Sequence, residues 1–281
     1  MVDRRAAVPR IAIAARPCLA QLSSSAPAGT PPTWAGRAGA VAGSGPDNVR
    51  RDLLTEAERA RLAPIAALMR IERGAILFRQ GDPATAIYDI ADGVLKSTVP
   101  RADGTRAILG FYFPQDIVGL DEAGLYANTV QAVTSATLYR LRLPELQRLL
   151  RRDSELDHQF LIKACHDLRV AQLHLLNLGV GRADARLAGF LDLMRRIQPG
   201  DAAATLIELP MSRADIADYL GLTPETVSRA FTRLRRARIL ACPGPHLVRI
   251  LDADRFRAMT EQDAIPGPGI SEARRRPSAA R

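Results

Sequence analysis

The stretch from Leu209 to Leu240, LPMSRADIADYLGLTPETVSRAFTRLRRARIL, constrains this chain more than any other. Ser212 is a strong helix N-cap. Asp215, three residues on, brings a carboxylate to the exposed N–H groups and the positive end of the helix. Ile216, Ala217 and Leu220 then recur at helical spacing and give one apolar face. Gly221 follows, the residue type that tolerates the left-handed conformation at a helix end. Thr223 can cap a second helix, and Pro224 sits at its first position, where a missing N–H costs nothing. Val227, Phe231 and Leu234 form that helix's buried stripe. The pattern predicts two short helices joined by a tight turn.

The opposite face of the second helix carries Glu225, Ser228, Arg229, Thr232, Arg233 and Arg236. Between Pro224 and Arg238 there are five arginines and one acid. A helical hairpin in an all-α core could look similar. Caps, turn glycine and polar face together agree better with the docking geometry of a DNA-binding helix-turn-helix. Arginine on such a second helix can reach phosphates, or grip a guanine edge through two hydrogen bonds.

Composition bounds the rest. The 281 residues are enough for two domains, and 47% are apolar. The net charge of +9, with a pI near 10.3, suits a polyanionic partner. Residues 201–264, however, balance nine basic against nine acidic groups. The DNA-binding expectation therefore rests on the face of one helix and not on bulk charge. Cys18, Cys165 and Cys242 lie far apart, with no disulfide framework, redox motif or metal-ligand spacing, which fits a reduced cytoplasmic setting. No apolar run reaches membrane-spanning length.

Residues 1–48, rich in Ala, Pro, Gly, Ser and Arg, are expected to be a disordered tail. Thr55-Glu56-Ala57-Glu58 is a capping-box pattern, opening a helix that Pro64 interrupts or restarts. From Ile71 to Leu143, short runs rich in Ile, Val, Leu, Tyr and Phe alternate with turn signals, which suggests an antiparallel sandwich or barrel over residues 49–150. Pro144 opens a helix through Leu150. A longer helix, filling most of 151–180, carries Leu161, Ala164, Leu168, Ala171, Leu175 and Leu178 at steps of three and four. That is a coiled-coil seam, and it predicts a homodimer. Leu156, Phe160, Leu173 and Leu176 offer a second apolar face for packing on the β-rich domain. Gly179 and Gly181 end the helix at a hinge. Ala183 to Ile197 is a further amphipathic helix, and Ile239 to Leu251 reads as a hairpin wing. Residues 181–264 would thus form a winged helix-turn-helix, and 265–281 a second disordered tail. The fold class is α+β: an N-terminal antiparallel β jelly-roll sensor domain, a long dimerisation helix and a C-terminal winged helix-turn-helix.

Residues 212–234 resemble the helix-turn-helix of the CRP/FNR family of bacterial regulators, most of all its FixK-like and FNR-like branches. The resemblance extends more weakly over about residues 50–260. Gly74, Phe78, Gly81 and Asp82, then Ala91-Asp92-Gly93, then Phe113, Asp116 and Gly119, resemble the jelly-roll of cyclic-nucleotide-binding proteins. The family's base-reading trio, E-x-x-S-R, falls on Glu225, Ser228 and Arg229. By chemistry, Arg229 would donate to guanine O6 and N7, Glu225 would accept from cytosine N4, and Ser228 could meet a thymine edge. Ser212, Arg213, Thr223, Thr226, Thr232 and Arg233 are expected at the DNA backbone. The resemblance implies a TTGA…TCAA type of palindromic double-stranded site, with RNA polymerase as a further partner.

A cyclic-nucleotide pocket in this fold resembles G-E-L followed by adjacent Arg and Ser. Here the first part reads Gly119-Leu120-Asp121, and the second falls in Leu125-Tyr126-Ala127-Asn128, with no cation. A buried phosphate without a cation keeps an unpaired charge, so tight cyclic-nucleotide binding is not expected. An iron–sulfur sensor needs four close thiolates, which are missing. His158, His166 and His174 repeat every eight residues, about 80° apart around a helix, and read as surface histidines and not as haem ligands. No cofactor and no metal is expected. The alternative is a ligand- or redox-gated regulator of the same fold, answering to haem, NO or cysteine oxidation. Cys242, just past the second helix, is the possible redox residue, and Cys165 a small packing residue beside the seam. The chain is not expected to be an enzyme. A metal-binding cupin needs clustered ligands on strands, and no histidine precedes His158.

Overall fold

The computed structural model describes residues 54–120, 124–179, 181–197 and 205–261. Both terminal segments expected to be disordered, and the Asp121-Glu122 turn, lie outside the described residues.

Thr55 opens α1 (Glu56–Leu62) with the expected capping box: Glu58 N–H donates to Thr55 Oγ1, and Thr55 N–H to Glu58 Oε2. Pro64 ends the helix in a single 3₁₀ turn. The chain then runs as β1 (Ala66–Ile71), β2 (Ile76–Phe78), β3 (Ala86–Asp92), β4 (Leu95–Pro100), β5 (Arg106–Tyr112), β6 (Ile117–Val118), β7 (Thr129–Ala132) and β8 (Ala136–Arg142). The sandwich thus begins earlier than Ile71. Ala66–Met69 carries no β-branched residue, and its extended form comes from pairing with β8 along its whole length.

The strands form two four-stranded sheets, ordered β1-β8-β3-β6 and β2-β7-β4-β5, antiparallel throughout. Phe78, Tyr88, Ile90, Leu95, Val130 and Leu138 fill the space between them. Residues on opposite sides of β3 serve different cores. Tyr88 and Ile90 face the partner sheet, while Ile87 packs with Leu62, Leu146, Leu156 and Phe160 under the helices. Burial on both sides is why β3 reads as an apolar run. Gly93 turns β3 into β4 at φ +91°, and an added Cβ would lie 2.5 Å from Ser135 O, so only glycine fits there.

Two helices follow, α2 (Leu143–Leu150) and the 26-residue α3 (Ser154–Gly179). Then come α4 (Ala183–Ile197), β9 (Leu206–Glu208), α5 (Arg213–Leu220), α6 (Pro224–Arg236), β10 (Leu240–Gly244), β11 (Leu247–Ile250) and α7 (Ala253–Glu261). The wing is three-stranded, ordered β10-β11-β9. Its third strand, β9, and the closing helix α7 are additions to the expected wing hairpin. Leu206–Glu208 is too short to show a period, and α7 carries a single buried anchor, Phe256.

On α3, the expected second face holds only in part. Leu156 and Phe160 are buried beneath the β-roll, but Leu173 and Leu176 are exposed. The β-roll reaches about half-way along a helix some 39 Å long, and past Phe160 it meets Lys163 and Asp167. Lys163 is enclosed instead, its ammonium donating to Asp167 and lying 3.9 Å from Asp116. Among the described residues no helix is long and apolar enough to cross a membrane, and no group of His, Cys, Asp and Glu could hold a metal.

Candidate nucleic-acid interface

Local chemistry builds the unit as read. Asp215 N–H donates to Ser212 Oγ at 3.0 Å, and Ser212 N–H donates to Asp215 Oδ2 at 3.1 Å. Gly221 closes α5 in the left-handed conformation, φ 62°. Thr226 N–H donates to Thr223 Oγ1 at 3.2 Å, and Pro224 takes the first turn of α6. Val227, Ala230, Phe231 and Leu234 turn inward onto a core shared with Ile216, Leu220, Leu187, Leu191 and Val248. That burial fixes which side of α6 faces water.

Glu225, Ser228, Arg229, Thr232, Arg233 and Arg236 stand on the exposed side. All of these except Glu225 line a shallow open concavity of about 340 Å³. Arg229 makes no hydrogen bond or ion pair among the described residues, so its fork is free. Glu225 is fully exposed, and its own backbone N–H and the Thr223 hydroxyl hold its carboxyl below the usual value. It is therefore a charged acceptor near neutral pH. The Ser228 hydroxyl donates to Pro224 O at 2.8 Å, and Thr232 to Ser228 O at 3.0 Å. Both hydroxyls keep their acceptor lone pairs for a ligand.

The six residues expected at the DNA backbone divide. Ser212, Thr223 and Thr232 are exposed, and Thr226 is half-buried. Arg233 and Arg213 are engaged within the protein. Arg233 donates through Nε and Nη2 to both oxygens of Asp184, at 2.6–3.0 Å. Arg213 lies with its guanidinium carbon 3.5 Å from the centre of the Phe231 ring, beside the half-buried Cys242 thiol. Asp184 and Phe231 are the residues that sequence reasoning missed as partners. Asp184 precedes Arg233 by 49 residues, and no local pattern links them.

On α3, Leu161, Ala164, Leu168, Ala171 and Leu175 are exposed and Leu178 is half-buried; Leu161, Leu168 and Leu175 are each 60% exposed or more. Cys165 is likewise exposed. Of the three histidines, His158 is exposed, His166 is half-buried with its pKa lowered by that burial, and His174 departs furthest from the surface reading. Its ring stacks on Tyr219 at 3.9 Å, and burial lowers its pKa to about 4.

The β-roll encloses a cavity of about 90 Å³, lined among others by Phe78, Tyr112, Gly119, Tyr126, Asn128 and Asp167. Ligand pockets for molecules of nucleotide size start at roughly 300 Å³. Tyr126 stacks on Phe78 at 3.7 Å and donates its hydroxyl proton to Ala86 O at 2.7 Å. Aromatic rings thus fill space that a nucleotide would need. Among the described residues the charged group on the lining is the Asp167 carboxylate, and no Arg or Lys lines the cavity. These residues do not fit a cyclic phosphate.

Comparison with known proteins agrees with this geometry. The profile of the Crp-like helix-turn-helix domain matches residues 185–259, and that of the cyclic nucleotide-binding domain matches residues 68–153. The nitrogen fixation regulation protein FixK of Bradyrhizobium diazoefficiens is 34% identical over 196 residues, 67% of this chain and 80% of that protein. The transcriptional activator protein FnrA of Stutzerimonas stutzeri is 35% identical, over 65% of this chain and 76% of that protein. The solved structure of FixK2 from Bradyrhizobium japonicum superposes with a TM-score of 0.65 at 29% identity, covering 69% of this chain and 97% of that one. With a β-roll, a long connecting helix and a winged helix-turn-helix in that order, the chain belongs to the CRP/FNR family, on its FixK-like branch, and is a DNA-binding transcription regulator.

Proposed function

We propose that two copies of this chain pair along α3 and read a palindromic site of the TTGA…TCAA type. In this reading residues 49–150 are the sensor-type domain, 151–180 the dimerisation segment and 181–264 the DNA-binding domain. Each α6 enters the major groove at one half-site, about 34 Å from the other. Glu225, Ser228 and Arg229 read base edges. Ser212, Thr223, Thr226 and Thr232 meet the sugar–phosphate backbone, with Arg213 and Arg233 supporting from their partners Phe231 and Asp184. RNA polymerase is the further partner through which binding acts on transcription.

The observation that carries this reading is the free fork of Arg229, flanked by Glu225 and Ser228 on an uncovered helix face. Pairing is supported by the row Leu161, Ala164, Leu168, Ala171 and Leu175, left in water on a single chain. Each leucine moved out of water into such a seam contributes about 1.5–3 kcal/mol. Selection of bound duplexes from random DNA, with the mass of the free protein measured alongside, tests both parts. Symmetric sites with TTGA half-sites and a mass of two chains are expected. A single-chain mass, together with equal affinity for scrambled and symmetric duplexes, would overturn the proposal.

A further inference from the structure

The β-roll and the helix-turn-helix share one seam. Lys96 on β4 and Phe111 on β5 are cross-strand partners in register. Asp215 and Tyr219 are four residues apart on α5, and so lie on one face of it. The two pairs meet. Lys96 Nζ donates to Asp215 Oδ1, both side chains about 15% exposed, and the Phe111 ring tilts against Tyr219 at 5.4 Å. Phe190 of α4 closes on both rings, at 6.2 and 5.5 Å, and His174 of α3 stacks on Tyr219 from another side. Around this centre, Val94, Ile108, Phe113 and Val133 of the β-roll belong to the same buried cluster as Leu191, Ile216 and Leu220. The other face of α5, with Ile216, Ala217 and Leu220, packs inside the DNA-binding domain, so α5 is held from two directions.

We propose that Lys96 and Phe111 are positioning residues for DNA recognition: they seat α5 on the β-roll and so hold α6 at the attitude in which it reads DNA. Two observations make this seat supportive and not inhibitory. Glu225, Ser228 and Arg229 are exposed, and among the described residues nothing from the β-roll covers them, so the docked arrangement leaves the reading face open. Asp215 also stands at the N-terminus of α5, next to the exposed Ser212. A bare carboxylate there would repel a DNA phosphate, and the Lys96 ammonium cancels its charge. Burial pushes the Asp215 carboxyl up, but the hydrogen bonds from Lys96 and Ser212 outweigh it and keep the group ionised. The strand that carries the seat also reaches the β-roll cavity. Phe111 lies on the α5 side, and its neighbour Tyr112 lines the cavity.

This inference rests on the DNA-reading role of α6. Its test uses the full chain and the duplex obtained by selection, with affinity read by fluorescence anisotropy. Lys96→Met removes the charge and keeps most of the side-chain stem. It is expected to weaken binding about tenfold, within the range ordinary couplings between sites reach. Lys96→Arg should restore affinity to near that of the unaltered chain. Asp215→Asn on top of Lys96→Met should add no further loss and should win back part of the affinity, because the contact is already gone and the uncompensated carboxylate goes with it. Thermal unfolding of Lys96→Met checks that both domains stay folded. Unchanged or tighter binding by Lys96→Met, or losses that add in the double variant, would overturn the seat while leaving the reading of α6 intact. Failure of the unaltered chain to bind any selected duplex would remove both.

Discussion

Arg229 and Arg233 stand one helical turn apart on α6, yet their surroundings assign them different work. Arg229 makes no hydrogen bond or ion pair among the described residues, whereas Arg233 is clasped by Asp184. A free fork can make a bidentate contact to guanine; a fork already holding a carboxylate has fewer donors left and a neutralised charge. Arg229→Ala is therefore expected to cost about 1–3 kcal/mol of binding and to relax preference at one base pair. Affinities for a set of duplexes, each changed at a single position, measure this. A loss that is equal on every duplex would instead make Arg229 a phosphate contact. At this scale the caps were legible because they are local: Ser212 reaches Asp215, and Thr223 reaches Thr226, within one turn. Asp184, Phe231 under Arg213, and Asp116 beside the enclosed Lys163 were not, because each meets a residue that only folding brings near.

Among elements, α3 shows how far periodicity carries. The row from Leu161 to Leu178 lies on one side as its spacing requires, but apolar burial of the other side stops after Phe160, where Lys163 and Asp167 face the β-roll instead. Further along, His174 meets Tyr219 of α5, a contact that no pattern on α3 predicts. Its Nδ1 is buried with no hydrogen-bond partner among the described residues, so protonation would bury an uncompensated charge. The native fold keeps His174 neutral down to about pH 4, against 6.5 for an unhindered imidazole. The unfolded chain therefore takes up this proton first, and stability linked to His174 is lost as pH falls from about 6.5 toward 4. Asp89 has the opposite sign. Burial raises its pKa to about 6 despite Arg59 at 3.3 Å, so the native state binds that proton more tightly and gains stability over the same fall. His174→Phe removes the first effect and leaves the second. Its melting temperature should drop less than that of the unaltered chain between pH 7 and pH 5. Parallel curves would show that His174 carries its proton in the folded protein.

For the whole molecule, the β-roll keeps the architecture of a nucleotide-binding domain while its interior is spent on packing. The stack of Tyr126 on Phe78, the Tyr126 bond to Ala86 O and the Asp167 carboxylate leave neither room nor charge for a cyclic phosphate. Titration of the full chain with cAMP in a calorimeter should give no micromolar binding; a saturable heat at that concentration would show that the rings can open. What remains connected is the seam at Lys96, Phe111, Asp215 and Tyr219, which joins the β-roll to the reading unit. The order of elements, both capped helices, the exposed face of α6 and the lack of a phosphate-binding cation were all readable from the one-dimensional chain. Those features arise from hydrogen bonds and spacings that span at most a few turns, or from residue types that are simply missing. Which arginines stay free, where α3 stops being covered, what fills the cavity and how α5 is seated were decided only in three dimensions. Each depends on pairs of residues far apart along the chain, and such contacts exist only once sheets and helices have packed.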